Sequence, residues 1–311
     1  MSKPFLTYQQ QLQKLSLDKH LIINNAAMAE EKLRNIGYFT LIGGYKTPFR
    51  DPMRRVYLPN TTFEDVYSLY LFDNQLRELF FSYLCQIEKK MRSLISYVFC
   101  EIHGERQEFY LSSENYKSSS KTQKGVTELI RILNWLANKN TDYEYLIYHR
   151  KVYHNVPLWV AINAMTFGQI SKMYSFLPSQ LQSRISHSFP HVNERELEQF
   201  LKVLVLYRNV CAHNERLFSH KVYSEIPDTA LHQKLNITKK GMQYTMGKKD
   251  LFSIVIAFRY LLPKEDFLMF KHDLSKQICN YLKQSHRIDE QQLLNIMGFP
   301  ANWKTITRYR C

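Results

Sequence analysis

The chain has 311 residues, 45% hydrophobic and 14% aromatic, enough apolar mass to bury one large core or two modest ones, which excludes a disordered polyelectrolyte. Forty-two Lys and Arg against 28 Asp and Glu give a formal charge of +14, which points to a polyanionic partner: RNA, DNA or an anionic membrane surface. Membrane is the weakest of the three, because no apolar run is long enough to span a bilayer and no signal sequence is evident, so a cytoplasmic protein is expected.

Nine Gly and ten Pro are few for this length and favour helices over a turn-rich β architecture. In chain order, residues 8–17 and 26–36 read as short helices, the second stopped by Gly37. Residues 37–59 carry Gly43-Gly44, Pro48, Pro52 and Pro59 and read as loop and turn. Tyr38, Phe39, Tyr45 and Phe49 alternate there with Lys46, Arg50, Arg54 and Arg55. The aromatics read as anchors on the helices, and Arg50, Arg54 and Arg55 as RNA contacts. The longest helical signal covers 64–101, where Leu69, Phe72, Leu76, Phe80, Tyr83, Ile87, Met91, Leu94 and Val98 recur at spacings of three and four. Glu88 and Arg92 on it form either a solvated pair or, facing inward, a support for a site.

Ser112 to Gly125 reads as an exposed loop, and 126–138 and 142–152 as helices. His149, Arg150, Lys151 and His154 form a basic patch, of which Arg150 and Lys151 are candidate RNA contacts. One helix is expected over 159–176 and a short one over 178–188. His187 and His191 have helical ligand spacing, but Pro190 interrupts it, so a solvated loop is favoured over a metal site. Neither metal nor cofactor is expected. A helix over 194–216 follows, then a change of texture. Lys239-Lys240-Gly241 and Gly247-Lys248-Lys249 are basic turns that flank a small hairpin around 242–246 and touch RNA backbone or only water. Helices over 251–262, 264–285 and 289–297 close the chain. Cys85, Cys100, Cys211, Cys279 and Cys311 are scattered and odd in number, which fits free thiols in a reducing compartment.

The most informative stretch is Arg208-Asn209-Val210-Cys211-Ala212-His213-Asn214. On a continuous helix Glu198, Lys202, Asn209, His213 and Arg216 fall on one narrow stripe, within about 40° of Asn209. The rest of the helix is mostly apolar, so burial is expected, and buried polar groups need partners or a function. One reading is a structural network, Glu198 with Lys202 and Asn209 with His213. The other is an RNA-cleaving centre. Cleavage through the 2′-hydroxyl needs a proton-transfer group, which histidine supplies near neutral pH, and a cation for the phosphorane, which arginine supplies. Arg208 and His213 are five residues apart, hence about 140° apart on an ideal helix. Their convergence on one phosphate needs distortion or a second copy of the chain.

The spelling Arg208-Asn209-x-x-x-His213 resembles the Arg-x4–6-His signature of HEPN ribonucleases. Further markers are similar to the AbiD/AbiF (Abi-2) abortive-infection family: Lys3-Pro4-Phe5-Leu6-Thr7-Tyr8 with Gln11-Leu12, Ile36-Gly37-Tyr38-Phe39, Gly43-Gly44-Tyr45, and Tyr70-x-Phe72-Asp73-x-x-Leu76-Arg77. Ile87-Glu88-x-x-x-Arg92, Pro157-Leu158-Trp159, Thr166-Phe167-Gly168 and Met297-Gly298-Phe299-Pro300-x-Asn302-Trp303 complete the series. They span almost the whole chain in family order. The resemblance implies a phage-defence, toxin-like ribonuclease, with a structured noncoding RNA as a candidate restraint.

The fold expected is all-α. An HEPN-like antiparallel helix bundle would occupy 61–220, with a small N-terminal unit over 1–60 and a helical C-terminal extension over 221–311. The function expected is a metal-independent endoribonuclease acting as a homodimer, with His213 moving protons, Arg208 stabilising the phosphorane and Asn209 orienting them. Glu88, Arg92, Glu198, Lys202 and Arg216 would support these three. Arg50, Arg54, Arg55, Arg150, Lys151, Lys239, Lys240, Lys248 and Lys249 would hold RNA. The rival expectation is a catalytically silent RNA-binding or protein-docking scaffold.

Overall fold

The computed structural model describes residues 4–117, 119–285 and 287–309; Lys3 of the opening motif and Cys311 lie outside them. It is 67% helical, with two short strands among the described residues, so the protein is all-α. No helix among the described residues is long and apolar enough to cross a membrane.

α1 (Tyr8–Gln13) is capped by a Thr7–Gln10 box and runs on into a π turn over Lys14–Asp18. α2 (Ala26–Ile36) is capped by Asn25 and stops at Gly37, whose φ of +88° suits glycine. The following segment is more ordered than a loop. It holds a π turn (Phe39–Gly43) and a 3-10 turn (Thr47–Phe49), and it buries Leu41, Ile42, Tyr45 and Phe49. Those four side chains remove apolar area from water that an open loop would expose.

α3 (Phe63–His103) is the spine of the molecule. A Thr62–Asp65 capping box starts it, and Gly104 at φ +91° ends it. Between them Leu69, Phe72, Leu76, Phe80, Ile87 and Met91 are buried along one face. α4 (Gln107–Leu111), α5 (Gln123–Asn138) and α6 (Glu144–Tyr153) follow. The single helix expected over 159–176 is instead divided. α7 (Leu158–Ala161) tightens into a 3-10 turn, Met165 is extended, and α8 (Phe167–Phe176) starts afresh from a Thr166–Gln169 capping box. That box satisfies helix-end groups locally and outweighs the continuous apolar pattern.

α9 (Ser179–Ser186) leads to α10 (Glu194–Ala212), which runs antiparallel to α3: Arg208 lies beside Glu88, while Leu217 and Phe218 beyond the helix bond to Asp73. α11 (Ala230–Lys234) precedes a hairpin of β1 (Lys239–Lys240) and β2 (Gln243–Tyr244). Its turn is Gly241-Met242, so Lys239 and Lys240 are strand residues and the hairpin starts earlier than expected. α12 (Leu251–Leu261) is buried at every position except Arg259. α13 (Lys264–Gln284) lies along α3, with Tyr281 stacked on Phe72 at 4.7 Å between centroids and Phe270 meeting Phe80 edge-on at 5.1 Å. α14 (Glu290–Met297) and a closing 3-10 turn complete the described chain. Buried side chains from Leu12 to Ile306 join one core.

Gly298 ends α14 at φ +78°, and a Cβ there would meet the Asp250 Cγ at 2.4 Å. Asp250 is itself fixed by the Gly247 amide. Left-handed strain and the collision together make Gly298→Ala cost about 2–4 kcal/mol in urea unfolding, and a loss below about 1 kcal/mol would contradict this packing.

Candidate active site

α10 opens with an Asn193–Glu196 capping box and ends earlier than expected. His213 is its last half-helical residue, and Asn214 is left-handed at φ +54°. The Glu215 amide donates to the Val210 carbonyl at 3.0 Å and the Asn214 amide to Cys211 at 3.3 Å. This is a Schellman ending, with asparagine in the place glycine more often takes. Arg216 therefore leaves the helical stripe, and its Nη1 donates to the Gly44 carbonyl at 2.8 Å instead.

The expected burial of the stripe is also corrected. Leu197, Phe200, Leu201, Val203, Leu204, Tyr207, Val210 and Cys211 are buried, whereas Lys202, Asn209, His213 and Arg216 are exposed. The helix is amphipathic and its polar face meets water. Glu198 and Lys202 pair at 2.7 Å on that face. The tie between Asn209 and His213 is the helix bond from the His213 amide to the Asn209 carbonyl, 2.9 Å. His213 is accessible at the helix terminus.

Arg208 leans the other way, toward α3. Its Nε lies 3.5 Å from Glu88 Oε2, and its guanidinium carbon is 5.8 Å from the Phe81 ring centre. Glu88 is only 3% exposed, and its other oxygen accepts from Arg92 Nη2. Arg92 also donates to the Met165 carbonyl at 2.8 Å. The inward alternative for Glu88 and Arg92 thus describes them, and a solvated surface pair does not. One buried carboxylate between two guanidiniums leaves a surplus positive charge, and the Arg208 side chain remains 28% exposed. Such a charge, partly shielded from water, attracts an anion more strongly than a fully solvated one.

A groove of about 500 Å³ between α3 and the end of α10 is lined by Asn74, Glu78, Phe81, Ala212 and Asn214 among others; neither Arg208 nor His213 lines it, but Arg208 packs over Phe81 and His213 lies between Ala212 and Asn214. Cys211 is in its wall, but burial pushes that thiol up to about 12, so it is not a ready nucleophile. Beside the groove is a buried cluster whose charged members, Asp73 and Arg77, the sequence marks only by resemblance, with Arg77 shared between cluster and groove. Asp73, fully buried, accepts from Tyr45 Oη (2.7 Å), Arg77 Nη1 (2.6 Å) and the Leu217 and Phe218 amides (3.0 and 2.6 Å). Arg77 also donates to the Glu215 carbonyl at 3.2 Å. Burial pushes the Asp73 carboxyl upward, while these four donors pull it down. Four donors with no acceptor satisfy the ionised form. The available signal was a charge inside an apolar stripe, since Asp73 falls between Leu69 and Leu76 at helical spacing.

The basic residues divide into two sets. Arg54, Arg55, Lys151, Lys239 and Lys240 are exposed, with Lys239 packed 4.4 Å over the Tyr244 ring. Lys249 is half exposed beside Glu225 at 3.6 Å. Arg50 is partly buried and donates to the Arg55 carbonyl, bracing its own turn. Two expected RNA contacts are corrected. Arg150 caps the end of α5 through the Leu136, Ala137 and Asn140 carbonyls. Lys248 is buried against the Ile226 carbonyl and Asp228. Among the described residues there is no group of three or more His, Cys, Asp or Glu able to hold a metal. Among the aromatics of 37–59, Tyr45 and Phe49 are anchors, while Phe39 is 88% exposed.

Removing the Asp73 carboxylate strands Arg77 in the core, so Asp73→Ala is expected to cost about 3–5 kcal/mol. Glu198→Ala, which breaks an exposed pair, costs at most about 0.5 kcal/mol. Equal losses for the two in chemical denaturation would contradict the assignment of the buried cluster.

Residues 31–219, more than half of the chain, match the family model described as Abi-like protein (Abi_2). No curated protein and no solved structure matches. The matched span contains Tyr45, Asp73, Arg77, Glu88, Arg208 and His213.

Proposed function

The chain belongs to the Abi-like protein family, which suggests abortive-infection defence against phage, and from that premise we propose that it is an HEPN-type endoribonuclease of the AbiD/AbiF kind. The observation that carries the reading is the setting of Arg208. The buried Glu88 carboxylate fixes the Arg208 guanidinium over Phe81, and Phe81 lines a groove that also takes in Ala212 and Asn214, the residues on either side of an exposed histidine. His213 would take the proton of the 2′-hydroxyl as its oxygen attacks phosphorus, and return a proton to the departing 5′-oxygen. Arg208 would stabilise the charge that builds on the phosphorane, with Asn209 orienting the pair. The products are a 2′,3′-cyclic phosphate and a 5′-hydroxyl, and DNA survives because it lacks the attacking group. This chemistry needs no metal.

Arg208 and His213 leave opposite sides of α10 in one chain. We therefore propose a homodimer in which two α10 ends face each other, so that Arg208 of one copy meets His213 of the other across the groove. The exposed cations Arg54, Arg55, Lys151, Lys239 and Lys240 would guide the strand electrostatically, or receive a restraining noncoding RNA. One observation favours the rival reading, a silent RNA-binding scaffold: the Glu88 pair gives Arg208 a structural task as well.

Purified protein is expected to cut RNA in excess EDTA and to leave 2′,3′-cyclic ends. His213→Ala and Arg208→Lys should each slow cutting by about 100-fold or more. Because His213 is exposed, its alanine variant should keep wild-type stability within about 0.5 kcal/mol, which separates lost chemistry from lost fold. Activity that disappears with chelator, or survives in His213→Ala, contradicts the mechanism. RNA binding without any cleavage selects the scaffold.

A further inference from the structure

A second basic pocket lies away from this groove. On α3, Lys90 is two residues from Glu88, hence about 200° round the helix from the Arg208 contact. Together with the turn after α9 and the start of α13 it encloses about 450 Å³. Lys90, His191, Arg259 and Lys264 line this space, and no carboxylate does.

None of the four has a carboxylate partner among the described residues. Lys90 is half-buried, 4.0 Å over the Phe189 ring, with the Ser188 carbonyl 3.5 Å from its Nζ. Burial holds its ammonium below the ordinary range, the sign of a cation short of a counter-charge. Arg259 donates from Nη2 to the Tyr309 carbonyl at 2.9 Å, but its Nε is buried with no hydrogen-bond partner. The 21-residue α13 begins at this wall behind Pro263, which makes no side-chain cap bond; Glu265 and Asp266 stand in its first turn, but neither lines the pocket. Phe189, Leu262 and Pro263 supply apolar walls. A space of this size with apolar sides and converging cations suits a small ligand with one flat and one anionic part.

We propose that this pocket binds a nucleoside monophosphate through its phosphate, either free or as the 5′-phosphorylated end of an RNA strand. The phosphate would sit among Lys90, Arg259 and Lys264 at the start of α13, with the base against the exposed Pro190 and Pro263. The proposal does not depend on RNA cleavage.

The test is calorimetric titration of the full chain with 5′-AMP, 5′-UMP and adenosine, repeated with Lys90→Gln and Lys264→Ala. At least one monophosphate should bind, adenosine should not, and each variant should weaken binding tenfold or more. Lys264 is exposed, so its variant keeps the test valid if Lys90→Gln fails to fold. Competition with a short 5′-phosphorylated RNA and its 5′-hydroxyl twin then assigns the source. Displacement by the phosphorylated strand alone marks an RNA end, and displacement by neither marks a free nucleotide. Binding of neither monophosphate, equal binding of adenosine, or affinity unchanged in both variants overturns the proposal.

Discussion

The Asp73 carboxylate is the interaction on which the arrangement of the candidate site depends. It receives Tyr45 from the segment before α3, Arg77 from α3 itself and two amides from the chain just beyond α10. A buried carboxylate is costly unless every lone pair is satisfied, and here four donors converge on it. The cluster therefore ties three separate parts of the chain to one point. It lies directly below the Schellman ending that leaves His213 exposed, and Arg216 adds a further tie to Gly44. A helix end otherwise frays; this one is anchored within a few residues of its last turn.

A second buried carboxylate, Glu88, governs the other half of the motif. Two guanidiniums share it, so it sets the direction of Arg208 without cancelling the local positive charge. The two carboxylates lie on the same spine, α3, with Glu88 beside Arg208 and Asp73 beside the residues that follow His213. The antiparallel packing of α3 and α10 thus relates the two sites. The same geometry sends the two side chains to different sides of α10, which is the physical reason to expect that a second copy of the chain completes the centre.

Much of this was legible in the sequence, for definite reasons. The periodicity of α3 and the Gly37 stop of α2 are local signals that tertiary packing reinforces, and both elements lie where they were expected. Met165 was misread because apolar spacing continues across a break that Thr166 and Gln169 make locally. The end of α10 was misread because asparagine, unlike glycine, gives only a weak stop signal, although Asn214 adopts the left-handed conformation here. The polar stripe was judged buried from the greasiness of the helix, yet a one-sided polar row is also what an ordinary half-buried helix shows. Arg150 and Lys248 exemplify what composition cannot reveal, since a cation that caps a helix or pairs in the core reads the same as a free one. Resemblance aside, Asp73 stood out only as a charge inside an apolar stripe, because the Leu217 and Phe218 amides that complete its shell lie 144 and 145 residues away in sequence.

The most direct test of a centre shared between two copies is subunit mixing. Arg208→Ala and His213→Ala proteins are each prepared, unfolded together, refolded as a mixture and assayed on RNA beside the separately treated parents. The account predicts that the mixture regains cleavage that neither parent has, because a heterodimer restores one intact arginine–histidine pair across its interface. A mixture no more active than its parents, with heterodimers demonstrably formed, would contradict it.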